Sequence, residues 1–368
     1  MGTHADTFNK LEDLTDLEFA VLLCLIAKEH CLIDTPADTL DDLANELVLI
    51  SQEIFGLSHA VIDCTPDTTV DEFFNAISQL GKQERLSHVS HAEGDSSRYT
   101  DFPRRGSGGD SNRAYPSNVD DRRIANIIIA KHFDRISQSV QIQALEMLRS
   151  RRVYTKTAMY KAPNHFIFIP LLSSETRELS SRLNNHLNEH ISISHYHDPS
   201  AGLVNLEGDG SMADDRGSLS SVIRNPSFLV PFTDKTESPL ILEENIVFLQ
   251  KLTHDVTVST EVYCYLENVV NFLRFNRAVF CGVTSPATRQ FHKLVKCLAP
   301  LHGIDYVPPS LIALAAKKIY RHRISVARPQ DDRSMMYGSN LNAIEAILSD
   351  ATPESIIEDV LAEVEAPL

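Results

Sequence analysis

No Cys-x-x-Cys spacing occurs among the six cysteines, Cys24, Cys31, Cys64, Cys264, Cys281 and Cys297, so the paired-thiol signature of zinc and redox sites is missing. All six sit in apolar segments, which predicts buried, reduced thiols. Positive charge is also scarce. The 34 Lys and Arg residues face 50 Asp and Glu, a net charge of −16. That balance argues against general binding of nucleic acid or anionic membrane and directs the search toward protein partners. No long apolar run is present: the longest early one, Phe19 to Ala27, lies between Glu18 and Lys28 and is too short to span a bilayer. No secretory pattern precedes it. The expected setting is intracellular, cytoplasmic or nuclear, without membrane attachment. No internal repeat is evident.

A chain of 368 residues can bury more than one core, and two domains is the natural prior. Two polar stretches divide it. Lys82 to Arg123, with Gly106-Ser107-Gly108-Gly109 and almost no apolar content, cannot offset its chain entropy and is expected to be disordered. Pro199 to Pro239 is milder, with one apolar island at Phe228-Leu229-Val230. Short apolar runs at Cys31–Asp34, Ala60–Ile62, Asn126–Ala130 and His165–Ile169 read as buried parallel strands alternating with helices. Leu17 to Lys28 reads as a helix capped by Asp16, and Leu43 to Phe55 as another. Beyond Leu242 the pattern is helical: Val262, Leu266, Val269, Val270 and Leu273 mark one face, and Leu294, Cys297 and Leu298 the next. At the C-terminus, Ile344, Ile347, Leu348, Ile356, Ile357, Val360, Leu361 and Val364 form amphipathic patterns. They fit a helix packed on its own domain or one that docks on a partner.

The segment Ile127-Ile128-Ile129-Ala130-Lys131-His132-Phe133-Asp134-Arg135, leading into Val140 to Glu146, resembles the Walker B strand and following helix of the magnesium-chelatase I/MoxR branch of the AAA+ ATPases. That resemblance implies a strand ending in Asp-Glu; here Lys131 and His132 stand instead. One unit-charge pair at about 4 Å and an effective dielectric of ~20 is worth roughly 4 kcal/mol, so an ammonium in place of a Mg²⁺-facing carboxylate reverses a large term. The phosphate loop should follow Cys31–Asp34, yet Thr35-Pro36-Ala37-Asp38-Thr39-Leu40-Asp41-Asp42 has no glycine, no lysine and three aspartates. A working loop needs glycines for close backbone approach, a Lys for the β/γ-phosphates and a Ser/Thr for Mg²⁺. The family's sensor asparagine is missing where Phe166–Ile169 runs into Pro170-Leu171-Leu172, and His190, in Leu187-Asn188-Glu189-His190-Ile191, occupies its arginine-finger position.

The C-terminal part is similar to that family's helical lid, from Leu249–Leu252 through Gly282-Val283-Thr284-Ser285-Pro286-Ala287-Thr288-Arg289 to Asp305–Ala315 and His322-Arg323-Ile324. The family's lid carries a Ser-Pro-Arg turn that senses the γ-phosphate. Here Ala287 follows Ser-Pro and Arg289 comes two residues later, about half a helical turn away. Arg289 is the displaced cofactor-binding position under that resemblance, or else a surface arginine of a lid helix. The whole chain also resembles a group of largely uncharacterised fungal proteins with this lid. The resemblance implies an α/β domain with an AAA+-like parallel sheet and flanking helices, followed by an all-α lid. Residues 1–81 and 124–198 would form the two halves of the α/β domain, 82–123 a disordered insertion, 199–241 a linker, 242–330 the lid and 331–368 an acidic tail.

One constellation offers other chemistry. His186-Leu187-Asn188-Glu189-His190 matches the His-x-x-Glu-His arrangement of inverted zinc peptidases, with both histidines on one helical face as metal ligands and Glu189 as general base. It needs a helix through His190 and a third ligand. Ordinary polar histidines, or a regulatory metal site, fit the same residues. Arg149, Arg151 and Arg152 end the helix after the altered strand, where cations favour a helix C-terminus or could contact an anion. The expected function is a catalytically degenerate AAA+-like scaffold or regulatory subunit, with no cofactor of its own, assembling with itself or with active AAA+ subunits. The alternative is an ATP-dependent, Mg²⁺-requiring remodelling or metal-insertion subunit, and a zinc hydrolase is the third class.

Overall fold

A computed structural model describes residues 8, 10–80, 122–154, 159–174, 178–206 and 239–367. The four apolar runs and the alternating segment after Asn188 become five strands: β1 (His30–Thr35), β2 (His59–Asp63), β3 (Ile127–Lys131), β4 (Ile167–Ser173) and β5 (Ile191–Tyr196). They form one sheet in the order β2-β3-β4-β1-β5, every pairing parallel. Near-continuous apolarity in β3 and β4 follows from burial on both faces, whereas β2, at the sheet edge, alternates between buried and exposed residues. Alternate residues of each strand feed opposite cores: Ile127, Ile129, Ile167, Ile169, Leu171 and Ile33 one, and Ile128, Ala130, Phe168, Leu172 and Leu32 the other.

Helices cover both faces. On the first lie α1 (Asp16–Ala27) and α2 (Leu40–Leu49); on the second lie α3 (Val70–Ile77), α4 (Gln138–Ser150) and α5 (Asn185–His190). The lid follows as α6 (Glu243–Asp255), α7 (Thr260–Phe275), α8 (Ser285–Leu301) and α9 (Pro309–Tyr320), and it departs from the expected all-α lid in one short antiparallel strand pair, Val279–Cys281 with Ser325–Val326. It does not build a separate core. Leu249, Leu266, Phe291, Leu298, Ile312 and Tyr320 belong to the same buried cluster as Leu22, Leu43 and Ile129. After the lid come α10 (Leu341–Leu348) and α11 (Pro353–Glu363), and α11 buries Ile356, Ile357 and Val360 against α7 and α9. Of the two readings of the C-terminal apolar pattern, α11 follows the one in which the helix packs on its own lid.

Several local expectations are corrected. The cap of α1 is Thr15, not Asp16: Thr15 and Glu18 form a reciprocal capping box. The helix expected from Leu43 begins at Leu40 and widens into a looser turn over Ile50–Ile54. β4 continues through Pro170, in register with Ala130. Most of the expected disordered insertion lies outside the described residues, but Arg122 and Arg123 lie in a short strand paired with Ser78–Leu80. Residues 207–238 of the expected linker also lie outside. Four cysteines are buried, whereas Cys264 and Cys281 are exposed, Cys264 because Val262, Tyr265, Leu266 and Val269 take the inner face of α7. Among the described residues no helix is long and apolar enough to cross a membrane.

Candidate functional site

The carboxyl ends of β1, β2 and β3 converge where a parallel α/β sheet places its ligands. Lys131, the last residue of β3, donates to Asp41 Oδ1 at 2.7 Å and lies 3.5 Å from Asp63 Oδ2. Its neighbour His132 has left-handed backbone, φ 51°, and sets Nδ1 3.3 Å from Asp63 Oδ1. Burial works against the Lys131 charge, but the Asp41 and Asp63 carboxylates outweigh it and hold its pKa above the usual lysine range. In return the Asp41 carboxyl is held low by its hydrogen bond to Lys131. One ammonium thus engages two carboxylates, and the trio keeps a single negative charge.

The connection after β1 closes on itself. Thr35 Oγ1 and Thr39 Oγ1 share a 2.8 Å hydrogen bond, and Thr39 Oγ1 donates to the Pro36 carbonyl at 3.1 Å, fixing a tight turn over Ala37–Thr39. Beside it, buried Asp34 accepts a two-pronged bond from Arg321 of the lid, at 2.6 and 2.7 Å. Arg321 also bonds Glu354 at 2.7 Å, and its guanidinium lies 5.7 Å from the ring centre of Tyr196. Asp134, in the turn after β3, pairs with Arg182 at 2.7 Å, and Arg182 reaches the Ser173 carbonyl as well. Neither Arg321 nor Arg182 was singled out from the sequence, because their partners lie 287 and 48 residues away.

A second site lies at the opposite, amino end of the strands. A cavity of about 660 Å³ is lined by Arg149 from α4, His186, Glu189 and His190 from α5, Glu29 ahead of β1, and Pro286, Arg289, Gln290 and Lys293 from α8. The spacings explain the convergence: 186, 189 and 190 share one helical face, as do 286, 289, 290 and 293. Glu29 is held by Lys293 at 2.5 Å and by Ser192 Oγ at 2.7 Å. His190 is kept below the usual imidazole pKa, first by burial and then by the Arg149 charge. α5 does continue through His190, and Ile191 opens β5 directly. The two histidines and Glu189 come together, but among the described residues no group of three or more His, Cys, Asp or Glu side chains could hold a metal ion.

Beside this cavity, Arg323 braces the end of α5 against α8. Its Nη2 donates to the carbonyls of Ile191 (2.7 Å) and Glu189 (3.3 Å) and to Gln290 Oε1, while Gln290 Nε2 donates to the Glu189 carbonyl at 3.3 Å. Nε and Nη1 of this buried guanidinium have no hydrogen-bond partner among the described residues, and burial brings its pKa down to about 10. Asn188 Nδ2 bonds the His322 carbonyl, and His322 Nε2 lies 2.9 Å from the Ile191 carbonyl. The residues after α9 therefore cap the end of α5.

No protein-family model matches the chain, and no curated protein sequence matches it. Among solved structures it is similar to a protein from Cytophaga hutchinsonii named as a candidate ATPase, with a TM-score of 0.62 at 15% identity over 100% of this chain and 94% of that one. A full-length MCM homolog from Methanopyrus kandleri gives a TM-score of 0.41 at 10% identity over 86% of this chain and 57% of that one, too low to carry argument. The fold is AAA+-like: a parallel α/β sheet with flanking helices, followed by a helical lid.

Proposed function

We propose that this chain is a non-hydrolysing member of the AAA+-like architecture, acting as a scaffold or regulatory subunit that assembles with itself or with active AAA+ subunits. The observation that carries this reading is the ion-pair set at the end of β3. Lys131 joins Asp41 and Asp63 at the place where a motor of this fold needs free carboxylates for Mg²⁺. The neighbouring turn supports it, since its hydroxyls are spent on each other and no glycine gives backbone N–H groups room to approach a phosphate. So does the Arg321–Asp34 pair, which ties the lid across the end of β1. A lid sharing one core with the sheet suits a fixed platform better than an opening and closing machine.

The test is phosphate release from ATP and Mg²⁺ by the purified chain, together with its thermal unfolding. The reading expects no turnover above the protein-free control and no large shift of the midpoint. Sustained release that disappears when Lys131 or Asp63 is replaced would replace the scaffold by a motor. Size measurement with and without an active AAA+ partner then distinguishes self-assembly from a mixed ring.

A further inference from the structure

Acidic residues fall at about every seventh position of this chain, 50 in 368, yet Met147 to Ser174 contains none, while Arg149, Arg151, Arg152, Lys156 and Lys161 lie within it. Part of that stretch folds as two short antiparallel strands, Arg152–Tyr154 and Met159–Lys161, in the connection from α4 to the amino end of β4. Register sorts their side chains. Val153 pairs with Tyr160, and both are buried in the core that α3 and α4 share, so Arg152 opposite Lys161 and Tyr154 opposite Met159 turn outward. Tyr154 and Met159 are 59% and 54% exposed. The strand Arg122–Ile124 lies alongside and follows the same rule: Ile124 joins that core, and Arg123 is exposed. Like charges directly opposite each other on a strand pair are destabilising, and no described carboxylate pairs with Arg152 or Lys161. Two cations kept side by side next to two large exposed apolar groups, in a protein of net charge −16, form a surface that folding alone does not call for.

We propose that this outward face docks a short acidic segment of a partner protein, with its carboxylates on Arg152 and Lys161 and its apolar side chains against Tyr154 and Met159. Basic clusters recognise acidic motifs through charge-assisted hydrogen bonds. The cation pair and the apolar pair are two residues apart along each strand, the period at which the side chains of an extended peptide return to one face. A nucleic acid fits less well. Its charges continue one after another past the basic face, over a molecule in which 50 acidic residues face 34 basic ones, whereas a short peptide ends where the cations end. The docking face goes beyond the scaffold reading and does not depend on it: these strands enter the amino ends of the sheet, while Lys131 and Asp63 stand at the carboxyl ends. Hydrolysis of ATP would overturn the scaffold and leave the docking face in place.

The experiment uses the full chain and a fluorescein-labelled peptide, Asp-Glu-Asp-Leu-Asp-Phe-Glu-Asp-Glu, followed by fluorescence anisotropy. Saturable binding is expected, weakened about tenfold in the Arg152→Ser/Lys161→Ser double variant, about threefold in Tyr154→Ser/Met159→Ser, and unchanged within about twofold in Lys251→Ser, an exposed lysine of α6. All four replaced side chains of the face are exposed, so the variants should stay folded, which circular dichroism checks. Lys161→Gln alone, weakened about threefold, carries the same test if a double variant unfolds. Absent saturation, equal affinity in either double variant, or equal affinity for a peptide with Ser in place of Leu and Phe would each overturn the assignment. Tighter binding of an oligodeoxythymidylate of equal length would overturn it as well, in favour of nucleic acid.

Discussion

Asp34, expected to end the first strand, lies one residue short of the end of β1 and serves there to tie the sheet to the lid. Its carboxylate is buried and both oxygens are taken by Arg321. Removing one partner of a buried pair leaves the other uncompensated, at a cost of about 3–5 kcal/mol. Asp34→Ala should fall near the lower end, because Arg321 keeps Glu354. Glu354→Ala, which removes a half-exposed partner, should cost less than about 1 kcal/mol. Urea midpoints of the two variants check this, and equal losses would contradict the ranking. The sequence carried the altered charges at Lys131 and in the Asp38–Asp42 turn, since a missing glycine or acid is visible in one line of text. It did not carry their partners. Asp63, Arg182 and Arg321 reach the site through the fold, and no local spacing announces them.

At the scale of elements, β3 and β4 were legible because burial on both faces leaves an almost unbroken apolar run, whereas β2 alternates between buried and exposed residues and β5 alternates Ile with Ser. Caps were less so: Thr15 and Asp16 are both good caps, and Glu18 settles the choice by reaching back to the Thr15 N–H. The cavity was half legible, because His186, His190, Arg149 and Arg289 drew attention singly while only tertiary contact brings α4, α5 and α8 together. The connection from α7 to α8 depends on Gly282, which has φ +115° and lies so close to the next pass of the chain that a Cβ would sit 2.1 Å from the Arg323 carbonyl oxygen. Gly282→Ala must strain its own backbone, about 1–3 kcal/mol, and push away the residue that holds the end of α5. Gly303, with φ +68° and nothing within 4 Å of an added Cβ, faces only the backbone term. Denaturant unfolding should therefore show a clearly larger loss for Gly282→Ala than for Gly303→Ala. The reverse order would mean that the strands Val279–Cys281 and Ser325–Val326 tolerate separation.

At the scale of the whole molecule, two buried imidazoles of the sheet carry a large part of the acid sensitivity, and the charge count alone would misplace it. His30 accepts the Phe168 N–H at Nδ1, 3.2 Å away, and burial, with the Arg151, His190 and Lys293 charges, brings its pKa down to about 3. His195 on β5 meets the Lys318 ammonium of α9 at 3.0 Å, and burial, then Lys318, His197 and Arg321, brings it to about 3 as well. Lys318 itself is pulled below the usual lysine range by burial. Both imidazoles therefore fold neutral, using as acceptor the nitrogen that a proton would occupy. Unfolded, each titrates near 6.5. Between 6.5 and about 3 the unfolded chain thus binds more protons than the folded one, so stability is intact above 6.5 and lost as pH falls through that window. At about 1.4 kcal/mol per unit and group, the two together remove on the order of 5 kcal/mol between pH 6.5 and 4.5. That is comparable with the whole stability of many domains. Urea midpoints measured from pH 7.5 to 4.5 should be flat at the top and fall steadily below 6.5. His195→Gln, which retains a side-chain acceptor but cannot be protonated there, should lessen the slope. If the slope in the variant matched the parent, the acid response would have to lie outside the contact between β5 and α9.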